Sequence, residues 1–282
     1  MTTSGHPVLP AGRSLALVPG LEDGALPARI EPLPGGTVNE TWRVDSAHGR
    51  FVLRIDGPEW RRPGVDRERE RRLHDVAAGG GLAPRVLRRD LRLGAQVCEF
   101  LDGRTWCEAD LAQPASLERL AARLSELHAL HPPSAVTPFD PSAVARDYLQ
   151  RLDHGVRAHS GAENFAARIA AAAARVGTGE RGLGVVHGDL VPENLLDGKN
   201  LWLLDWEFAQ LADPLYDLGC LIAYHPELQQ RRRWLLDAAG LGGGDAGRRL
   251  DAAIEVYENL SRLWWLARKE VPTGIRGGRS AN

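Results

Sequence analysis

Apolar and β-favouring residues alternate in the first third of the chain. The alternation covers residues 37–44 and 50–55, on either side of the turn-forming residues 46–49, and predicts a β-hairpin. The other elements predicted in this part are a charged surface helix at 65–78 and two short strands at 84–87 and 95–101. We expect these elements to form a small antiparallel β-rich lobe over residues 1–101.

Helical periodicity dominates the rest of the chain. Apolar residues recur every three to four positions at Leu117, Leu120, Leu124 and Leu127, which predicts a helix over residues 114–130. Further helices are predicted at 165–176, from 215 through 234 and at 247–270, with short apolar strands at 184–187, 194–196 and 201–204. The pattern therefore predicts an α+β fold in which a larger, mainly helical lobe occupies residues 102–282.

Composition narrows the class of partners and the compartment. The formal net charge is −2, from 35 basic and 37 acidic side chains, so the chain lacks the basic excess of proteins that bind nucleic acid. Cys98, Cys107 and Cys220 form no C-x-x-C pair, which argues against a disulfide framework or a zinc site. The start has no basic segment followed by an apolar core, and no apolar run approaches the roughly 20 residues that span a bilayer. We expect a cytoplasmic protein with neither nucleic-acid nor membrane partners, and the oligomeric state stays open.

The segment His187–Asn194 carries the most specific chemical signal. It reads H-G-D-L-V-P-E-N, and Asp205 follows eleven residues after Asn194 at the end of an apolar stretch. Phosphoryl transfer requires a carboxylate that orients the attacking hydroxyl and oxygen ligands that hold Mg²⁺ on the nucleotide. Asp189, Asn194 and Asp205 supply these groups, with the D-x-x-x-x-N spacing of kinase catalytic loops. Ordinary turn residues between strands are the alternative interpretation, but the accompanying histidine, glycine and Asp205 favour the catalytic one.

The sequence lacks the motifs of two kinase classes, the P-loop kinases and the protein kinases. No G-x-x-x-x-G-K-[ST] segment is present, which excludes a P-loop enzyme. No Ala-Pro-Glu follows Asp205, and only seven residues separate Asp205 from Asp213, so a protein-kinase activation loop has no room.

The catalytic segment and its continuation Asp213–Leu218 resemble the motifs of the aminoglycoside phosphotransferase and choline kinase superfamily, and the resemblance extends from about Leu33 to about Glu270. It implies a two-lobed protein-kinase-like fold that uses ATP and Mg²⁺. It also implies that Asp189 is the catalytic base and that Asn194 and Asp205 are magnesium ligands. His187 and Asp217 would brace the loop.

The N-terminal lobe resembles the same superfamily. Residues 35–39, with the sequence G-G-T-V-N, are similar to the nucleotide-covering turn of bacterial choline kinases, so Gly36, Thr37 and Asn39 are expected at the nucleotide. Arg54 stands on the strand that carries the phosphate-contacting lysine in protein kinases, and an arginine can hold a phosphate through two hydrogen bonds. Choline kinases and thiamine kinases are similar in having arginine there.

Two further nucleotide contacts follow from the resemblance. Glu70 corresponds to the glutamate that pairs with the basic strand residue, and Glu68 is the alternative. A solvated charge on the surface of the helix is the other interpretation of this position. The segment 97–101 resembles the hinge between lobes, where the backbone of Glu99 and Leu101 would bind adenine.

The acceptor substrate is expected to be a small-molecule alcohol that contacts the helical lobe. Trp264 and Trp265 end an apolar helical stripe that is typical of core, but aromatic rings also bind cations. Together with Glu207 they favour a choline-, ethanolamine- or thiamine-like amino alcohol.

Three alternatives remain. One is an aminoglycoside or sugar kinase, and another is a nucleotide-binding protein without turnover, which the arginine at position 54 suggests. The third is a metal-binding or redox protein based on His128 and His131, but this pair lacks a third ligand and is typical of a helix end.

Overall fold

The alternating segments of the first third pair as one antiparallel sheet. A computed structural model describes residues 10–34, 39–57, 63–179 and 182–268. The five strands are β1 (Arg29–Pro32), β2 (Glu40–Ser46), β3 (Gly49–Ile55), β4 (Val86–Asp90) and β5 (Ala95–Glu99). Their order across the sheet is β1-β2-β3-β5-β4, and all neighbours are antiparallel. A short helix, α1 (Gly12–Leu15), precedes them.

The β2–β3 hairpin has one apolar face and one polar face. Trp42 lies opposite Leu53 and Val44 opposite Phe51, and all four side chains are buried in the core of this lobe. Because successive side chains of a strand point to opposite faces, Arg54 projects away from that core.

Helix α2 (Arg67–Gly79) follows the hairpin and connects the two lobes. It begins at Asp66, whose side chain accepts hydrogen bonds from the N–H groups of Glu68 and Arg69, as an N-cap does. Leu73 and Ala77 are fully buried and belong to the large core of the C-terminal lobe rather than to the core of the β lobe. The helix therefore packs against the C-terminal lobe, while the division of the chain at residue 101 stays a prediction.

The C-terminal lobe is mainly helical. Its helices are α3 (Glu108–Leu111), α4 (Pro114–His128), α5 (Pro141–Arg151), α6 (His154–His159), α7 (Ala162–Val176), α8 (Leu215–Tyr224), α9 (Arg232–Ala238) and α10 (Ala246–Ala267). Its strands are β6 (Gly103–Thr105), β7 (Gly184–Val186), β8 (Leu195–Gly198), β9 (Leu201–Leu203) and β10 (Gln210–Ala212). They form a β6-β8-β9 sheet and a β7-β10 pair, and α10 packs along α7 and α8. The predicted α+β class is confirmed.

Strand β1 and helices α1, α3, α5 and α6 are not predicted from the sequence, and two further differences have a local cause. The helical pattern from 215 through 234 is interrupted, because Pro226 has no N–H and disfavours helical backbone at His225. A 3₁₀ segment, Pro226–Arg231, separates α8 from α9. The very short strands β6 and β10 are not predicted, since three residues carry too little alternation. Within the described residues, no helix has the length and apolar character needed to cross a bilayer.

Candidate active site

The loop that follows β7 is held by a buried carboxylate. Asp217, in the first turn of α8, is fully buried and accepts hydrogen bonds from the N–H groups of His187 at 3.0 Å and Gly188 at 2.9 Å. His128, the last residue of α4, places its Nε2 atom 2.9 Å from the other Asp217 oxygen. These contacts give a physical basis for the predicted bracing by Asp217. The position of His128 at the end of α4 agrees with the helix-end interpretation of the His128–His131 pair.

His187 connects this loop to the strand end that carries Asp205. Its Nε2 atom lies 2.8 Å from the carbonyl oxygen of Leu204, and its ring meets Trp206 edge to face with centroids 4.9 Å apart. Burial lowers the pKa of His187, so the imidazole is neutral at pH 7. The ring is thus packed and hydrogen-bonded between the loop and Leu204, and the bracing role implied by the resemblance stays a prediction.

Gly188 permits a close approach that other residues would prevent. Its φ is +75°, and a Cβ atom built there would lie 2.6 Å from the carbonyl oxygen of Phe208. A side chain at this position would clash with the backbone after Asp205, which explains why glycine separates His187 from Asp189.

Asp189 and Asn194 are hydrogen-bonded to each other. The Asn194 Nδ2 atom donates to both the carbonyl oxygen and the carboxylate of Asp189, each at 2.9 Å. This orientation of the amide leaves its oxygen as the atom that could bind a hard cation. Asp189 is half-buried, so an acceptor hydroxyl can reach its carboxylate.

Asp205 occupies a strained backbone conformation. Its φ is +58°, and no other non-glycine residue among those described has a positive φ. The side chain is 35% exposed, but its Oδ1 atom is buried without a hydrogen-bond partner. Burial raises the pKa of this carboxyl well above its usual range, and the neighbouring Glu207 carboxylate raises it further. An oxygen in these surroundings is suited to a divalent cation, so Asp205 and Asn194 fit the expected magnesium.

Arg54 and Glu70 form a buried ion pair beside Asp205. Arg54 Nη1 lies 2.6 Å from Glu70 Oε1 and 3.7 Å from Asp205 Oδ1. Burial alone would raise the pKa of Glu70, but the guanidinium groups of Arg54 and Arg67 lower it to about 2. Glu68 instead binds Arg71 and Arg72 at the surface. The partner of Arg54 is therefore Glu70 rather than Glu68.

Comparison with known proteins identifies the family of this chain. A family model described as the phosphotransferase enzyme family, APH, matches residues 29–253. The chain belongs to this family. The suspected superfamily is thus confirmed, while the roles predicted for the individual site residues stay predictions.

Three similar proteins show how far the likeness to this chain extends in sequence and in structure. Protein LicA of Haemophilus influenzae is 51% identical over 37 residues, a match that spans 13% of this chain and only 14% of LicA. A choline/ethanolamine kinase family protein from Mesorhizobium loti has a TM-score of 0.68 and 28% identity, over 92% of this chain and 86% of its own. A solved structure of a protein also named LicA, in complex with AMP, has a TM-score of 0.67 with 18% identity over 86% of both chains, a likeness of fold alone.

Beside the phosphotransferase motifs lies a polar contact between the lobes. Asn39 Nδ2 donates to Glu207 Oε2 at 2.9 Å, and Arg67 Nη1 contacts the same oxygen at 3.3 Å. Glu207 was predicted to bind substrate, but it is buried and its carboxylate faces these two side chains. Contact with a substrate therefore stays a prediction, while its position supports an internal role.

Arg67 and its partner Asp56 are not predicted from the sequence. Arginines and acids are frequent in the chain, and nothing in the local pattern separates these two from surface charges. The one available signal is the spacing of three residues between Arg67 and Glu70, which places both on one helix face.

The remaining nucleotide contacts are partly described. Gly36 and Thr37 lie outside the described residues. Glu99 ends β5, and its N–H donates to the carbonyl oxygen of Arg85 at 3.0 Å, so this N–H is engaged within the protein. The adenine contact through the backbone of Glu99 and Leu101 stays a prediction.

The two tryptophans predicted for the substrate lie toward the end of α10. Trp264 and Trp265 are half-buried and meet edge to face, and the guanidinium of Arg268 lies 4.7 Å from the Trp264 ring centre. A cation of the chain itself thus covers one face of Trp264. Tyr257, whose hydroxyl would be 3.3 Å from a Cβ at Gly188, is seven residues or about 10 Å of helix away. Substrate contact through these tryptophans stays a prediction.

Proposed function

We propose that the protein transfers the γ-phosphoryl group of ATP to the hydroxyl of a small amino alcohol of the choline, ethanolamine or thiamine type. The observation that carries this proposal is that Asn194 holds Asp189 and is bonded through its carbonyl oxygen to Leu204, next to Asp205, while the Arg54–Glu70 pair lies beside Asp205. A nucleotide-binding protein without turnover would need none of the bracing around Asp189.

The chain's own residues suggest a direct transfer. Asp189, held by Asn194, orients the acceptor hydroxyl and accepts its proton as the oxygen attacks the γ-phosphorus in line. Arg54, held by Glu70, contacts the phosphates of ATP. Asn194 and Asp205 would hold the magnesium ion, which would neutralise negative charge on the phosphates of ATP. No covalent intermediate on the protein is required.

The class of acceptor rests on the relatives. The Mesorhizobium loti protein is described as a choline/ethanolamine kinase family protein, and the likeness to it extends over almost the whole chain. The AMP in the LicA structure supports an adenine nucleotide as the donor. An aminoglycoside or sugar acceptor is tested in the same experiment.

The experiment measures magnesium-dependent ADP release with choline, ethanolamine, thiamine, amino sugars and aminoglycosides as acceptors. Asp189→Asn is expected to lower kcat by about 100- to 10,000-fold, because the base is lost, while ATP binding is retained. Asp197→Asn, which removes a surface carboxylate paired with Arg119, is the matched control and keeps normal turnover. Full turnover in Asp189→Asn would refute the assigned base, and stimulation by aminoglycosides alone would refute the amino alcohol.

A further inference from the structure

A buried cluster of charges joins the two lobes next to the candidate active site. It contains four carboxylates and two guanidinium groups, from Asp56, Glu70, Asp205, Glu207, Arg54 and Arg67. The proposed reaction uses Arg54 as a phosphate contact. It assigns no role to Arg67, although this side chain is buried at the centre of the cluster.

Arg67 contacts four residues from separate parts of the fold. Its Nε donates to Asp56 Oδ2 at 3.0 Å, and its Nη2 lies 2.7 Å from Asp56 Oδ1. Its Nη1 donates to Glu70 at 2.7 Å and to Glu207 at 3.3 Å, and its Nη2 donates to Asn39 Oδ1 at 3.3 Å. These five contacts match the five N–H donors of a guanidinium, so the group is fully used inside the protein.

One of these contacts reaches the nucleotide site through Glu70. Arg67 binds the Oε2 atom of Glu70, while Arg54 lies 2.6 Å from the Oε1 atom. Because the two oxygens of a carboxylate are rigidly linked, fixing one of them sets the direction of the other. Arg67 therefore determines how Glu70 presents its charge to Arg54.

A second route reaches the metal-binding turn through Glu207. Asn39 donates to Glu207 and accepts from Arg67, while Arg67 also contacts Glu207, so the three side chains form a closed triangle. Glu207 lies two residues after Asp205, and Asn39 is the last residue of the segment 35–39 predicted to cover the nucleotide. The triangle thus ties the end of that segment to the turn that carries Asp205.

We propose that Arg67 is a positioning residue for phosphoryl transfer, which holds Glu70 toward Arg54 and holds the Asp205–Glu207 turn against the start of β2. This inference rests on the proposed function. A lysine cannot take the place of Arg67, because a single ammonium nitrogen with three donors cannot reach four acceptors arranged around a planar fork.

The test compares Arg67→Lys with Arg71→Lys, a matched change on the same helix at a side chain that pairs with exposed Glu68 and Asp75. We expect Arg67→Lys to lower kcat/KM for Mg·ATP by at least about tenfold, as a misplaced group does, with the acceptor KM changed less than about threefold. Arg71→Lys is expected to keep every constant within about twofold. Unchanged kinetic constants in Arg67→Lys, including a result in which only its Tm falls, would overturn the proposal.

A double-mutant cycle tests directly whether Arg67 and Glu207 act as a unit. Arg67→Gln, Glu207→Gln and their combination remove one or both members of the pair. If the two act as a unit, the double variant loses no more activity toward Mg·ATP than the worse single variant. Losses that multiply would contradict the coupling.

A binding measurement separates this inference from the proposed reaction. The Kd of a fluorescent, non-hydrolysable ATP analogue can be measured in the presence of Mg²⁺ without any acceptor substrate. If the wild-type protein phosphorylates none of the acceptors, the proposed acceptor class fails, while a Kd about tenfold weaker in Arg67→Lys still supports the role of Arg67. Equal Kd values in wild type and variant would contradict it.

Discussion

Glu68 and Glu70 show how tertiary contacts separate two like-charged neighbours on one helix. Residues two apart on an α-helix point about 200° apart, so they cannot face the same surroundings. Glu70 is 2% exposed and lies between Arg54 and Arg67, whereas Glu68 lies at the surface with Arg71 and Arg72. A glutamate thus holds the buried Arg54 at one position and forms a surface pair at the other.

This difference predicts the outcome of a matched pair of substitutions. Glu70→Gln is expected to lower kcat/KM for ATP by about 10- to 100-fold, because it removes a charged contact worth about 1.5–3 kcal/mol and frees Arg54. Glu68→Gln is expected to change kcat/KM by less than about twofold. Initial-rate kinetics with varied ATP provide the measurement, and equal effects of the two variants would contradict the assignment of Glu70.

Between elements, helices α8 and α10 pack closely behind the catalytic loop. A Cβ atom built on Gly219 of α8 would lie 2.7 Å from the Cβ of Ala253 in α10 and 2.8 Å from its carbonyl carbon. Helix α8 carries Asp217, which holds the loop, and α10 carries Tyr257, whose hydroxyl lies beside Gly188. Small residues at the crossing therefore set the distance between the two helices that support the site.

Gly219→Ala is expected to destabilise the protein even though alanine is the better helix former. The gain in helix propensity is about 1 kcal/mol, whereas overpacking a close crossing costs about 1–3 kcal/mol. Gly247→Ala, in the first turn of α10 and with no atom within 4 Å of the added Cβ, is the control and is expected to be neutral or stabilising. Chemical denaturation of both variants measures the difference, and a stabilised Gly219→Ala would show that the helices separate at no cost.

Across the whole molecule, α2 and the turn after Asp205 join the two lobes. His74 of α2 is buried, with its Nε2 atom 2.8 Å from the carbonyl oxygen of Pro84. Its ring stacks on Trp206 with centroids 5.8 Å apart, and Trp206 also contacts His187. Two histidines, one from each lobe, therefore pack on the indole next to Asp205.

The buried His74 predicts that folding stability declines in mild acid. Burial lowers the pKa of His74 to about 4, below the unfolded value near 6.5. The unfolded chain therefore binds the proton first, and stability present above pH 6.5 is lost as the pH falls toward 4, at up to about 1.4 kcal/mol per pH unit. The lowered pKa of His187 acts in the same direction.

Urea unfolding between pH 7 and pH 4.5 measures this dependence. His74→Gln keeps a donor for Pro84 but has no titrating group, so its stability should depend less steeply on pH than that of the wild type. His154→Gln, at an exposed position of α6, is the control and should leave the slope unchanged. Equal slopes in His74→Gln and wild type would show that His74 does not determine the acid sensitivity.

The elements that the sequence predicted well are those with repeated patterns. The β2–β3 hairpin, α2, α4 and the C-terminal helix appear within a few residues of their predicted bounds, because burial of one face imposes a period of two or of 3.6 on the chain. Short strands such as β6 and β10 are recognisable only through their pairing partners.

By itself, the sequence determined the α+β class, the segment His187–Asn194 and the acidic strand end at Asp205, because this chemistry depends on residues close together along the chain. Tertiary structure alone decided that Glu70 rather than Glu68 faces Arg54 and that Glu207 turns inward to Asn39. Each of these contacts joins residues whose local pattern equally permits exposure to water. Their surroundings are set by how helices and lobes pack, and a pattern of apolar positions does not record the partner of a charged side chain.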